Sequence, residues 1–216
     1  MRRHSKQKPM QKALILVDLQ NDFMPTGALP VPHGDEVVPL ANALQVYFDC
    51  IIATQDWHPR NHGSFAANHP GLSPGDAIEL AGLPQILWPT HCVQATAGAE
   101  FVKTLKIDRI AKVFQKGCDP NMDSYSGFFD NGHTKSTGLG DYLQARRISE
   151  VYIMGLALDY CVKYTVLDAC QLGFKTFLIE DGCRGVNVQS TDSVIQAMQA
   201  AGASLIRSTE VYTLRT

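Results

Sequence analysis

The stretch Glu150-Val151-Tyr152-Ile153-Met154-Gly155-Leu156-Ala157-Leu158-Asp159-Tyr160-Cys161-Val162 carries the chain from an apolar run straight into a helical pattern. The run at 150–155 has the length and β-rich composition of a buried strand. Asp159 then reads as an N-cap, and Val162, Val166 and Ala169 recur on one helical face. Leu167 and Cys170 lie elsewhere on the circumference, so this helix is expected to be buried on much of its surface and to end near Gly173. A further β-rich run follows at 175–180. Strand, helix and strand in that order is the repeating unit of a parallel sheet covered by helices.

Working outward, the same alternation places strands at 12–18, 50–55, 110–116 and 204–207. Val37, Leu40, Ala41 and Leu44 follow the i, i+3, i+4, i+7 rule of an amphipathic helix, with Pro39 tolerated near its first turn. Ser190 or Thr191 is a candidate cap for another helix, with Val194, Met198 and Ala201 facing inward. The expected fold class is α/β: three layers, α/β/α, around a doubly wound, mainly parallel six-stranded sheet.

The whole chain of 216 residues is 45% hydrophobic and 19% charged, enough apolar material for one sizeable core. We expect a single domain over 12–216, preceded by a basic N-terminal extension at 1–11 that reads as disordered. A formal net charge of −2 removes any global attraction to nucleic acid or anionic membrane, so a small neutral substrate fits better. The longest apolar stretches, 13–17 and 151–158, fall well short of the roughly 20 residues that a bilayer span needs. Six cysteines without a Cys-x-x-Cys pair point to a reducing cytoplasm, where a single cysteine is by default a small apolar filler.

Two segments interrupt the alternation. Residues 58–95 are rich in Pro, Gly, His and Asn without a sustained period, and 117–140 hold Tyr125-Ser126-Gly127-Phe128-Phe129-Asp130-Asn131-Gly132. Both leave the carboxyl ends of expected strands, the rim at which open α/β sheets bind ligands. The polar residues on that rim are Asp18, Asp56, Lys116 and the turn leading to Cys161. Each has a plain alternative: a turn cap, a solvated strand end, a core thiol. Placed on four adjacent strands, they would face one crevice. There Cys161, in the first turn of its helix and near Lys116, would have a lowered pKa. Asp18 would take its proton and return it to a leaving amine. Backbone N–H groups of Ala157 and Cys161 are the candidate oxyanion donors.

In Asp56-Trp57-His58, residues two apart on a strand end face the same side, so carboxylate and imidazole project together. His91, at the end of the first long loop, could complete a mixed N/O site suited to Zn, Mn or Fe. His62, Ser64 and His69 are candidates for a further ligand or for surface positions, with His69 read as the latter.

These residues carry a resemblance. Leu16-Val17-Asp18-Leu19-Gln20-Asn21-Asp22-Phe23, Thr54-Gln55-Asp56-Trp57-His58-Pro59, Leu87-Trp88-Pro89-Thr90-His91-Cys92-Val93, Gln115-Lys116-Gly117, Ser124-Tyr125-Ser126-Gly127-Phe128 and Gly155-Leu156-Ala157-Leu158-Asp159-Tyr160-Cys161-Val162 resemble the motifs of the nicotinamidases among the isochorismatase-like cysteine hydrolases. The resemblance runs from about residue 12 to the C-terminus and implies the isochorismatase-like hydrolase fold. It implies Asp18, Lys116 and Cys161 as catalytic residues, Asp56, His58 and His91 as ligands of one divalent metal ion, zinc ahead of iron or manganese, and Phe23 and Trp88 on either side of a pyridine ring. A cis peptide at Leu156-Ala157 is implied as well. The implied activity is deamidation of nicotinamide to nicotinate and ammonia in NAD salvage, with pyrazinamide as a further substrate. Rival readings are an isochorismatase, an N-carbamoyl amidohydrolase, or a catalytically silent binding domain. A homo-oligomer is left open.

Overall fold

The computed structural model describes residues 11–213. The expected N-terminal extension lies outside the described residues except for Gln11, which opens the first strand. Six parallel strands form the central sheet: β1 (Gln11–Val17), β2 (Cys50–Asp56), β5 (Ile110–Lys116), β6 (Ile148–Leu156), β7 (Lys175–Arg184) and β8 (Ser204–Ile206), in the order β5-β2-β1-β6-β7-β8. A two-stranded antiparallel hairpin, β3 (Ala77–Leu80) and β4 (Leu83–Ile86), stands apart from it. The helices are α1 (Val37–Leu44), α2 (Leu139–Ala145), α3 (Lys163–Gln171), α4 (Thr191–Ala200) and α5 (Ser208–Val211).

The chain winds outward from the centre in both directions. β1 leads through α1 to β2, while β6 leads through α3 to β7 on the other side. Right-handed crossovers running in opposite directions place α1 and α3 on opposite faces of the sheet, which gives three layers. Strands covered on both faces need apolar residues throughout, and β2 is buried along its whole length, as is β1 from Ala13 onward. β5, at the edge, exposes most of its residues. The order of winding switches between β1 and β6, and this is where an open α/β sheet leaves a crevice beyond its carboxyl ends. The two strands meet closely there. Gly155 has φ 128° and pairs with Val17, and a Cβ at Gly155 would lie 2.2 Å from the Val17 carbonyl oxygen. Only glycine fits.

All six expected strands are present, with changed ends. β7 runs on to Arg184 because its pairing with β6 resumes at Gly155 and Cys183 after a register shift. α1 and α3 stand where the periodicity places them, and Gly173, at φ 83°, follows the end of α3. In α4, Val194 and Met198 are buried as expected, whereas Ala201 lies beyond the last turn and is exposed, Ile195 being buried instead. Neither Ser190 nor Thr191 caps it with a side chain. Asn187 instead accepts the Gln189 N–H (3.1 Å) at the preceding short 3-10 turn. The β3–β4 hairpin, α2 and the short α5 (Ser208–Val211) were not anticipated. The β3–β4 hairpin lies almost wholly at the surface and so lacks buried alternation, and α2 is short and follows Gly138.

Candidate active site

The ends of β5, β2, β1 and β6, four neighbours in the sheet, deliver Lys116, Asp56, Asp18 and the turn to Cys161 to one place. Lys116 is paired in register with Asp56, and its side chain is sealed from solvent. Its Nζ lies 2.9 Å from Asp18 Oδ2, donates to Asp56 Oδ1, and reaches the Ser124 carbonyl oxygen at 3.1 Å and Cys161 Sγ at 3.2 Å. The other Asp18 oxygen accepts the Thr54 hydroxyl at 2.6 Å.

Burial governs the charges here. It works to lower the Lys116 pKa, but Asp18 and Asp56 overcome it and hold the ammonium well above its ordinary value. Burial also works to raise Asp56, and Lys116 and His58 reverse this, keeping that carboxyl well below the usual range. Asp18 goes the other way: desolvation raises it, against the pull of Lys116. The expected lowering of the Cys161 pKa is not found. The thiol is buried, desolvation pushes it well above its ordinary value, and Lys116 opposes that only in part. A thiol held protonated by burial therefore lies beside a carboxyl group whose affinity for protons is raised.

The turn bearing Cys161 also differs from the expected plain helix start. The Leu156–Ala157 peptide is cis, and residues Leu158–Val162 form a single π-helical turn before α3. The Ala157 carbonyl accepts from Tyr160 N (3.1 Å) and Val162 N (3.0 Å). Asp159 makes no cap on this turn. Its two oxygens instead accept the N–H groups of Val186 (3.0 Å) and Asn187 (2.8 Å), on the segment after β7.

Asp56 and His58 project together as their spacing predicts, and His91 comes back from the long loop to meet them. Asp56 Oδ2 is 3.5 Å from His58 Nε2 and 3.8 Å from His91 Nε2, and one ligand atom from each residue lies within 4.8 Å of the others. Both imidazoles are fixed from behind, His58 by Nδ1 on the Gly117 carbonyl (2.9 Å) and His91 by Nδ1 on the Pro89 carbonyl (2.7 Å), so both present Nε2. Gly117 has φ 65°, and a Cβ there would come 2.3 Å from the His58 ring. His62 lies against His58, the ring centroids 4.3 Å apart, and groups with His58 and Asp123; it is fully buried, its Nδ1 meets Ser64 Oγ at 2.7 Å, and its Nε2 has no hydrogen-bond partner. Burial, with the nearby His58, lowers its pKa to about 4, so it is a neutral donor at physiological pH. Ser64 thus serves His62 rather than facing the cluster. His69 is half-buried, with Nε2 2.7 Å from the Gly63 carbonyl oxygen, and fastens its own loop.

Sequence reasoning passed over the residues behind this cluster. Gln20 grips the Asp56 backbone twice, accepting its N–H and donating to its carbonyl, each at 2.8 Å. Asp22 accepts the N–H of Cys92, next to His91, at 2.7 Å. Both belong to the stretch that follows Asp18, and two acid or amide side chains at the mouth of a buried strand were the available signal.

Cys161 and the Asp56, His58 and His91 group open onto one cavity, which Phe23 and Trp88 also line. Leu29, Asp123, Tyr125, Tyr160 and Val186 also line it and had not been singled out as site residues. Trp88 Nε1 donates to the Tyr125 hydroxyl at 3.1 Å, and its ring meets Tyr160 edge-on at 4.8 Å. An aromatic slot with a nucleophile at one side and imidazole donors at another suits a flat heteroaromatic carboxamide.

An isochorismatase domain model matches residues 12–210. The chain is 54% identical over 200 residues to a nicotinamidase of Escherichia coli (strain K12), covering 90% of this chain and 93% of that protein. The solved structure of an Acinetobacter baumanii nicotinamidase/pyrazinamidase is 45% identical, with a TM-score of 0.91 over 95% of this chain and 100% of that one. A Pyrococcus horikoshii pyrazinamidase, solved in complex with zinc, is 36% identical, with a TM-score of 0.75 over 91% of this chain and 99% of that one.

Proposed function

The chain belongs to the isochorismatase-domain family and, within it, to the nicotinamidases, and from that premise we propose that it hydrolyses nicotinamide to nicotinate and ammonia through a thioester on Cys161. One observation carries the reading: the Cys161 thiol and the Asp56, His58 and His91 donors line the same cavity. Such a hollow can present a carboxamide to sulfur while gripping the ring that bears it.

Cys161 Sγ attacks the amide carbon and its proton passes to Asp18, whose raised pKa favours accepting it. The backbone N–H groups of Ala157 and Cys161 receive the charge that develops on oxygen. Asp18 then gives the proton to the departing nitrogen, and ammonia leaves a thioester. Asp18 next deprotonates a water that cleaves the thioester, releasing nicotinate and restoring the thiol. Lys116 orients Asp18 and favours the sulfur anion as it forms. Phe23 and Trp88 hold the ring between them.

The donor set fits a divalent ion. Two imidazoles are locked with Nε2 forward, a carboxylate stands beside them, and the buried His62 Nε2 lacks any partner of its own. Neutral imidazole with carboxylate suits zinc, iron or manganese, and zinc is our first choice. When bound, the ion supplies a Lewis-acidic anchor for the ring nitrogen, directly or through its waters. Pyrazinamide, a flat diazine carboxamide, is a second substrate on the same grounds. Among the described residues no helix is long and apolar enough to cross a membrane. With six unpaired cysteines and NAD salvage as the implied use of nicotinate, we place the enzyme in the cytoplasm.

Ammonia release from nicotinamide tests this, measured with the purified protein, with Cys161→Ala and with chelator-stripped protein. Turnover should vanish in the variant, and on stripping it should fall and return with added metal. Full activity in Cys161→Ala would overturn the covalent route, and inert nicotinamide beside a cleaved N-carbamoyl amide would overturn the substrate.

A further inference from the structure

Asp159 stands two residues before Cys161 and, as shown above, caps nothing in its own turn. Both of its oxygens are spent on the crossing from β7 to α4, accepting Val186 N–H at 3.0 Å and Asn187 N–H at 2.8 Å. The packing is close: a Cβ at the neighbouring Gly185 would lie 3.3 Å from Asp159 Oδ1. Gly185 is buried and Val186 packs against the core, but beyond Val186 the crossing has little besides this clamp to hold it. Asn187, Val188 and Gln189 are exposed, and the local bonds of Asn187 to Gln189 N and of Ser190 Oγ to the Asn187 carbonyl only shape the crossing itself. Residues 187–189, with few buried apolar contacts, move easily unless they are fastened, and Val186 adjoins them. Yet Val186 lines the substrate cavity beside Cys161.

We propose that Asp159 is a positioning residue that fixes Val186 as the size-limiting wall of the ring pocket, so that the enzyme selects unsubstituted six-membered heteroaromatic carboxamides over ring-alkylated ones. A carboxylate receiving two N–H groups is a charge-assisted, two-point clamp, stiffer than the neutral bonds around it. It ties the wall to the turn that carries the nucleophile, so wall and sulfur keep a fixed separation. A hydrophobic wall of this sort discriminates by volume, and one extra methyl against a fixed wall is worth about 10- to 100-fold in kcat/KM. The inference rests on the functional reading above and deepens it.

The test compares nicotinamide with 5-methyl- and 6-methylnicotinamide in the metal-loaded wild type, Asp159→Asn, Val186→Ala and the double variant. Asp159→Asn keeps the shape but turns an N–H donor of its own toward a backbone N–H. It should raise KM for nicotinamide more than it lowers kcat, and raise the relative kcat/KM for at least one methylated amide about tenfold. Val186→Ala should give a similar gain, and the double variant no more than the larger of the two, because both act on one wall. A loss of kcat shared equally by all three amides in Asp159→Asn, with selectivity unchanged, would overturn the proposal, as would unchanged selectivity in Val186→Ala or independent gains that multiply in the double variant. A wild type that releases no ammonia from nicotinamide would instead bring down the functional reading on which it rests.

Discussion

The two sides of the cavity are built by different means. Asp18 and Lys116 sit at the ends of β1 and β5, and Cys161 follows β6 by a single turn, so the reactive side inherits its geometry from the ladder of a buried parallel sheet. Of the three donors opposite, only Asp56 ends a strand, whereas His58 and His91 stand on loop. Beyond the ladder pairing of Asp56 and the backbone bonds that join His58 to Cys92 and Gln94, these donors rest on separate fastenings: His58 on Gly117, His91 on Pro89, the Asp56 backbone on Gln20, and the amide beside His91 on Asp22. A ladder fails as a whole, while separate fastenings fail one at a time. Damage on the reactive side should therefore be large and appear in kcat or in folding, and damage on the ring-holding side should be graded and appear in metal or substrate binding.

The largest effect is expected for Asp18→Asn, which should lower kcat about a thousandfold, the middle of the range for losing a positioned general base. Its metal content should be unchanged, and a loss of bound metal in step with activity would blur the division between the two sides. Because burial raises the Asp18 pKa above its ordinary value of 3.8, the wild type should lose kcat/KM on acidification at a pH above that value. The sign follows from the ionised form being the base. Metal content measured across the same pH range separates this limb from release of the ion, and a profile that stays flat down to the ordinary carboxylate range contradicts the assignment.

Next comes Lys116→Met. It leaves Asp18 and Asp56 buried without their shared cation and should cost about 3–5 kcal/mol in denaturant unfolding. A change below 1 kcal/mol would mean that water or another group already solvates the two carboxylates.

The mildest is Gln20→Ala on the opposite side. It should weaken metal affinity about 10- to 100-fold by chelator competition, as loss of a residue that orients a ligand does, while kcat at saturating metal stays close to wild type. A large fall in kcat at saturating metal would show that Gln20 acts on the reactive side as well.

The same division explains what the sequence disclosed. The sheet was legible because β1, β2 and β6 are covered on both faces and must be apolar nearly throughout, which leaves short runs separated by helical periods. Asp18, Lys116 and Cys161 were legible as polar residues at the ends of such runs, and Asp56 with His58 by their spacing. The ring-holding roles of Phe23 and Trp88, and the substrate itself, came only from the resemblance of whole motifs. What escaped depends on partners distant in sequence. Asp159 carries the composition of an N-cap, yet its carboxylate reaches 27 positions along the chain to Val186. Gln20 reaches 36 positions to Asp56. His62 stayed open between ligand and surface position; it is fully buried against the His58 ring, whereas His69 only fastens its loop. The Cys161 pKa went in the opposite direction because a helix terminus and a lysine can be read from sequence, whereas the desolvation that outweighs them cannot.

The central claim is that one cavity couples a sulfur nucleophile to an ion that grips the ring nitrogen. Calorimetric binding of nicotinamide and benzamide to Cys161→Ala tests it most directly, with the protein metal-loaded and again after chelator stripping, because the two amides differ only in that nitrogen. The loaded protein should prefer nicotinamide by at least about tenfold, roughly 1.4 kcal/mol, and stripping should abolish the preference. Equal affinities in the loaded protein, or a preference that survives stripping, would contradict the account.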